Sequence, residues 1–190
     1  MRSRIHATDE RFYGVYEGIV TSFIKDDKEG RVKIKFPWYD DKTEFECRVR
    51  QLYAGNGFGA FFIPESQTEV LVAFIQGDMR FPVILGGLYN GKDKAPTSRG
   101  EKKDEKMIRT KAGHQIILDD TEDSEKIVIV DKSGNNTLVI DAKSDSITIT
   151  AKTGKISLNA KAGIEMKSDA EIKVEAKADL NLKGATINLN

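Results

Sequence analysis

From about Ser144 onward the chain alternates apolar and polar residues in short bursts, each closed by a turn. The apolar pairs are Ile147/Ile149, Ile156/Leu158, Ile164/Met166, Ile172/Val174, Leu180/Leu182 and Ile187/Leu189, with starts spaced 9, 8, 8, 8 and 7 residues. Ala151, Ala160, Ser168, Ala176 and Gly184 follow the first five pairs. Alternation of this kind is a strand with one dry face and one wet face. A period near eight leaves room for one short strand and one turn, and so small a unit cannot bury its dry face alone. The pattern predicts an octad-repeat β-helix over residues 141–190, stacked on copies of itself. At ~4.8 Å per layer, six octads make roughly 30 Å of shaft.

Upstream the grammar changes twice. Ile116–Leu118, Ile127–Val130 and Leu138–Ile140 are strand-like runs at a looser spacing, so residues 107–140 read as a transition collar of hairpins or irregular coils. Residues 91–106 are charged, with nothing to pack, and read as a linker. Before it, residues 14–90 alternate in five stretches: Val15–Phe23 with a bend at Gly18, Arg31–Phe36 stopped by Pro37, Glu44–Arg50, Glu69–Ile75 and Phe81–Leu88, the last two joined through Gly77-Asp78. Five short strands with no helical pattern predict a small antiparallel barrel of the five-stranded oligonucleotide/oligosaccharide-binding (OB) type, with a sandwich as the alternative. The predicted class is thus all-β. All fifteen aromatic residues lie at or before Tyr89 and all four prolines at or before Pro96, which marks the domain break.

Charge and chemistry narrow the function. Thirty basic and thirty acidic residues cancel, so no bulk field draws the chain to nucleic acid or anionic membrane. Cys47 is the only cysteine, which excludes an internal disulfide and a multi-Cys zinc site; it reads as a buried apolar thiol. The charged N-terminus has no apolar core of a signal peptide, and no apolar run approaches a membrane span. His6 and His114 are far apart in sequence and read as surface or turn residues. Asp119, Asp120, Glu122 and Asp123 lack the spacing of a calcium loop and read as a solvated turn. Gly55-Asn56-Gly57-Phe58-Gly59 is followed by neither Lys-Ser/Thr nor a helix, so it reads as a tight crossing, not a phosphate cradle. Trp38, Tyr39, Phe58, Phe61 and Phe62 could stack bases, but the first ninety residues lack the positive charge to track a phosphate backbone. No catalytic residue, metal ligand or cofactor is indicated.

Four segments in order carry a resemblance: Gly30–Trp38, Gly55–Pro64, Glu69–Phe74, and Gly77-Asp78 with Phe81–Asn90. Together they resemble the OB domain of contractile-injection spikes, a family that includes phage baseplate assembly protein V and the valine–glycine-repeat spikes of type VI secretion. Lys111–Thr121 is similar to the family's lead into its β-helix, and the resemblance covers roughly residues 14–190. One departure is Gln67, where the family usually has a glycine, so a different turn is expected there.

The resemblance implies a non-enzymatic structural spike of a phage baseplate or related injection particle, made in the cytoplasm. It implies a homotrimer whose C-terminal segments intertwine into a needle that pierces the target envelope on sheath contraction. Ile147, Ile149, Ile156, Leu158, Ile164, Met166, Ile172, Val174, Leu180 and Leu182 are then the trimer core. Residues 1–13, through Arg2, Arg4, Ile5, Arg11 and Phe12, dock on a trimeric hub. Only thirteen residues precede the barrel and the chain ends inside an octad, so hub, tip and any effector are expected to be separate proteins. A conical tip protein of the proline–alanine–alanine–arginine (PAAR) type is expected on Gly184, Ala185, Ile187 and Leu189, and cargo could ride in the tube. Two other classes compete. An OB module binding single-stranded nucleic acid or glycan, carried on a trimerising stalk, shares the domain order. A hexapeptide-repeat acyltransferase needs six-residue steps where this chain takes eight.

Overall fold

The computed structural model describes residues 11–40, 42–97, 100 and 104–188. They fall into two units, divided between residues 103 and 104. All regular structure is β apart from one short 3-10 turn, and among the described residues no helix is long and apolar enough to cross a membrane.

The first unit is built on β1 (Val15–Phe23), β2 (Val32–Lys35), β3 (Phe45–Val49), β6 (Glu69–Phe74) and β7 (Pro82–Gly87). They close into a barrel in the order β1-β2-β3-β7-β6. Alternation decides what points inward. Val32 and Ile34 of β2, and Val70, Val72 and Phe74 of β6, are buried, while the residues between them stay half exposed. With Val20, Phe36, Cys47 and Ile84 they form one core.

A wholly antiparallel barrel was expected, and geometry forbids it. Five is odd, so strand direction cannot alternate all the way round a closed ring. The exception is the seam between β3 and β7, which is parallel and pairs only Arg48 with Val83 and Val49 with Ile84. The bend expected at Gly18 is also displaced. The register of β1 against β2 shifts between Val20 and Ser22, a bulge at Thr21, while Gly18 sits against Val72 and Phe36.

Two further differences concern turns. Gln67 has φ 70°, so the chain keeps a left-handed, glycine-type backbone there, with the Gln67 N–H donating to Val20 O at 2.7 Å. Residues 54–59 form a hairpin of β4 (Ala54–Gly55) and β5 (Phe58–Gly59) around Asn56-Gly57. Between β6 and β7 a 3-10 turn, Ile75–Gly77, reverses the chain.

The second unit opens with a five-stranded antiparallel meander: β8 (Glu105–Arg109), β9 (Gln115–Asp119), β10 (Lys126–Val130), β11 (Asn136–Asp141) and β12 (Ser146–Ala151). The collar is therefore regular sheet. Its first strand begins inside the stretch read as linker, and its last carries the first octad pair, Ile147 and Ile149. Beyond Ala151 no regular element forms within the chain.

Candidate functional site: assembly surfaces

The meander's register sorts its side chains into rows. Ile108, Ile116, Ile129, Leu138 and Ile149 lie side by side across all five strands. The next row on the same face is Lys106, Leu118, Ile127, Ile140 and Ile147. Nine of these ten side chains are apolar, and eight of those nine are exposed large hydrophobics in the single chain, Leu138 being the exception. A cavity of about 600 Å³ lies over this face, lined in part by Ile108, Ile116, Leu138, Ile149 and Ile156. The opposite face has one mixed apolar row, Met107, Ile117, Val128, Val139 and Thr148. Beside it runs a polar row, Glu105, Asp119, Lys126, Asp141 and Ser146, with Lys126 Nζ 3.5 Å from Asp119 Oδ2.

The octads carry the same division forward. Every described residue from Lys152 to Asn188 is exposed, except that none of this exposure is confined to polar groups: Ile156, Leu158, Ile164, Met166, Ile172, Val174, Leu180, Leu182 and Ile187 share it. Among the described residues the last backbone–backbone hydrogen bond runs from the Lys152 N–H to Asn135 O. Two ion pairs run along the repeats. Lys167 reaches Glu165 at 2.9 Å and Lys173 reaches Glu175 at 2.6 Å. Each pair joins residues two apart and interleaves with an apolar pair, Ile164/Met166 and Ile172/Val174. Gly184, Ala185 and Ile187 are exposed at the far end of the described chain; Leu189 lies outside the described residues.

At the barrel, Arg2, Arg4, Ile5 and His6 also lie outside the described residues. Arg11 and Phe12 are placed on the chain's own barrel. The Arg11 guanidinium donates to Gln76 O at 3.0 Å, and the Phe12 N–H donates to Gly77 O at 2.9 Å. Gly77, at φ 74°, is in the left-handed region, and an added Cβ would stand 3.1 Å from that of Arg11. The Phe12 ring joins Tyr16, Trp38 and Phe74 in an aromatic cluster with centroids 5.1–6.0 Å apart. Trp38 and Tyr39 belong to this packing, since Trp38 also meets Phe36 and Tyr39 meets Phe45.

Three of the barrel's cations stand beside carboxylates. Arg31 reaches Asp27 at 2.8 Å and Glu46 at 3.1 Å, Lys33 reaches Glu44 at 3.5 Å, and Arg80 reaches Asp78 at 2.6 Å. Hydrogen bonds from the Arg80 side chain hold the Asp78 carboxyl down at about 2. In the sheet, the Ser133 hydroxyl and the Asn136 amide do the same for Asp131, also about 2. The Cys47 thiol is fully buried, and desolvation pushes it up to about 12. Of the acidic turn, Asp119 accepts from the Thr121 hydroxyl and backbone, and Asp120 pairs with Lys106. The His114 N–H donates to the Thr110 hydroxyl. Among the described residues no group of three His, Cys, Asp or Glu side chains is placed to hold a metal ion.

Sequence reasoning placed the dry face in the octads but missed its extension into the collar. Ile116-Ile117-Leu118 and Ile127-Val128-Ile129-Val130 are apolar at every position, so alternation there cannot say which residues share a face. Cross-strand register settles it.

The family described as the type VI secretion system/phage-baseplate injector OB domain matches residues 16–89, the stretch that holds the barrel strands. The type VI secretion system spike protein VgrG3 of Vibrio cholerae is 32% identical over 113 residues, 54% of this chain and 11% of its own length. VgrG1a of Pseudomonas aeruginosa, also a type VI spike protein, is 32% identical over 126 residues, 60% of this chain and 20% of its own length. The actin cross-linking toxin VgrG1 of Vibrio cholerae is 34% identical over 124 residues, 63% of this chain and 11% of its own length. The chain thus spans between about a tenth and a fifth of these relatives.

Proposed function

We propose that this chain, which belongs to the type VI secretion and phage-baseplate spike family, is the trimeric shaft of such a spike and acts by shape, without catalysis. One observation carries the reading: among the described residues no backbone–backbone hydrogen bond forms from residue 153 to 188, while the paired apolar side chains of the repeats, from Ile156/Leu158 to Leu180/Leu182, are all exposed. Backbone groups shut away from water must be paired, and an apolar stripe must be covered. Two further copies do both. Each copy's octads pair with its neighbours', the apolar pairs from Ile156/Leu158 to Leu180/Leu182 meet on the axis, and the Lys/Glu face stays wet. The apolar rows of the meander, ending on Ile147 and Ile149, form the upper part of the same dry interior. Each fully covered Ile or Leu contributes about 1.5–3 kcal/mol, so a shaft of this length is stable only as an assembly.

Sedimentation equilibrium of the full chain tests this. The expected mass is three times the 21.2 kDa of one chain; a folded monomer would refute it.

The remaining roles are proposed on the family resemblance. Residues 1–10 dock on a hub, with Arg11 and Phe12 anchoring the root of that arm to the barrel. A PAAR-type tip sits on Gly184, Ala185, Ile187 and Leu189, cargo travels in the tube above, and sheath contraction drives the needle through an envelope. Deleting residues 2–10 should spare the trimer and abolish incorporation into particles. Removing residues 185–190 should spare the trimer and release the tip.

A further inference from the structure

Asparagine followed by glycine is the pair most prone to lose its side-chain amide, because glycine leaves the next peptide nitrogen uncovered. The chain has two such pairs, Asn56-Gly57 and Asn90-Gly91. Both belong to the first unit, and neither glycine has any atom within 4 Å of where a Cβ would stand. The two nitrogens are equally open to approach; the two side chains are not equally free. The Asn90 amide is held at both ends. Its Oδ1 accepts from the Lys92 N–H at 2.8 Å and the Asp93 N–H at 2.6 Å, and its Nδ2 donates to Glu69 Oε2 at 2.7 Å. The Asn90 N–H donates to Asp93 O at 2.9 Å, which fixes the backbone as well. Asn56 stands exposed at the tip of the β4–β5 hairpin, and its side chain makes no hydrogen bond among the described residues.

We propose that Asn56 is a modification site, deamidating spontaneously, and that the fold spares Asn90. The Gly57 backbone nitrogen, losing its proton, bonds to Asn56 Cγ; the bond from Cγ to Nδ2 breaks and the amide leaves as ammonia. Water then opens the cyclic imide at either carbonyl. One product is aspartate. The other is isoaspartate, in which the main chain runs through the side-chain carbon. Nothing is oxidised or reduced, and water is the only co-reactant. For Asn90 to follow, its Cγ must turn out of three hydrogen bonds, which slows the reaction by about tenfold or more.

The position gives the reaction its weight. Residues 51–63 carry no charged side chain, and Leu52, Tyr53, Phe58 and Phe61 are each more than half exposed there. Either product sets a carboxylate among them. Isoaspartate also adds a carbon to the main chain of a two-residue turn that is tightly closed. The Phe58 ring lies over Gly55 so closely that an added Cβ would be 2.2 Å away, and the Ala60 N–H donates to Tyr53 O at 2.8 Å just below.

The test ages the full chain in mildly alkaline buffer and follows both sites by peptide mass mapping, with isoaspartate detected by its methyltransferase. Asn56 is expected to convert at least about tenfold faster than Asn90 in the folded chain. In an unfolding concentration of urea, where the hydrogen bonds of Asn90 are gone, the two rates should converge. An intact Asn56, equal rates in the folded chain, or a difference that survives undiminished in urea would each overturn the assignment.

Discussion

Among the described residues every buried hydrophobic side chain, from Val20 to Ile84, belongs to the barrel, while the meander and octads bury none within their own chain. The barrel turns alternation inward because its sheet closes on itself. The octad pairs of the second unit alternate too, but they have no partner strand within the chain, and the sheet before them is open. The same residue pattern therefore yields a self-sufficient fold in one region and an unfinished one in the other. Closure, within a chain or between chains, makes the difference.

The sharpest way to break this comparison is to exchange the two faces of one octad. Ile172→Lys would set three ammonium groups on the dry axis, at several kcal/mol per ion, and should abolish the trimer on size exclusion. Lys173→Ile loses only an exposed pair with Glu175 and should stay within about 0.5 kcal/mol of the parent. Equal resistance of the two variants to heat would show that the assigned phase is wrong.

Phe36→Ala probes the other region. It empties the barrel core and should cost about 3–5 kcal/mol. The damage should appear as an earlier loss of Trp38 fluorescence in denaturant, with the trimer mass unchanged. Loss of the trimer would mean that the units are not independent.

Alkali should likewise reach the barrel first. The Cys47 thiol is raised from 9.0 to about 12 on folding, so its contribution is intact below pH 9 and is lost as pH rises from 9 toward 12. Cys47→Ala should flatten the alkaline limb of barrel unfolding, and the native thiol should resist alkylation at pH 8. Acid should not discriminate. Asp78 in the barrel and Asp131 in the sheet are both depressed to about 2, so each contributes above pH 4 and loses its contribution as pH falls through 2. Asp78→Asn and Asp131→Asn should each blunt the acid sensitivity of their own unit only, by far-UV and Trp signals recorded together.

The smallest expected effect is at Gln67. A side chain at φ 70° carries about 1–2 kcal/mol of local strain, and glycine removes it while giving back up to about 1 kcal/mol of chain entropy. Gln67→Gly should raise barrel stability by roughly 0.5 kcal/mol.

Much of this architecture was legible in the residues, and the gaps have physical causes. Val32/Ile34 and Val70/Val72/Phe74 announced their strands because each has one buried face. β8 went unread because Met107-Ile108 is a single apolar step among charges, and only its neighbour β9 makes it a strand. The Asn56-Gly57 hairpin carries the usual signal of a tight turn, but strands of two residues offer no alternation to flank it. The parallel seam follows from closure, a property of the whole ring. For the assembly surfaces, the octad pairs were visible one by one, whereas the matching rows of the collar needed register across five strands.

The absence of backbone–backbone pairing among described residues 153–188 also has a consequence during synthesis. Ribosomes deliver one chain at a time, so in the trimer proposed above each octad segment would wait in solution with its edges open until two others arrived. The barrel, translated first, can fold during that wait; the tail is the vulnerable part. Open edges beside apolar side chains are what seed mispaired aggregates. Charges set inside the middle repeats, such as Glu165, Lys167, Lys173 and Glu175, interrupt the alternating apolar stretches there. A wet face that would look like simple solubility in the proposed needle would thus also keep its parts separate until they could be joined in register.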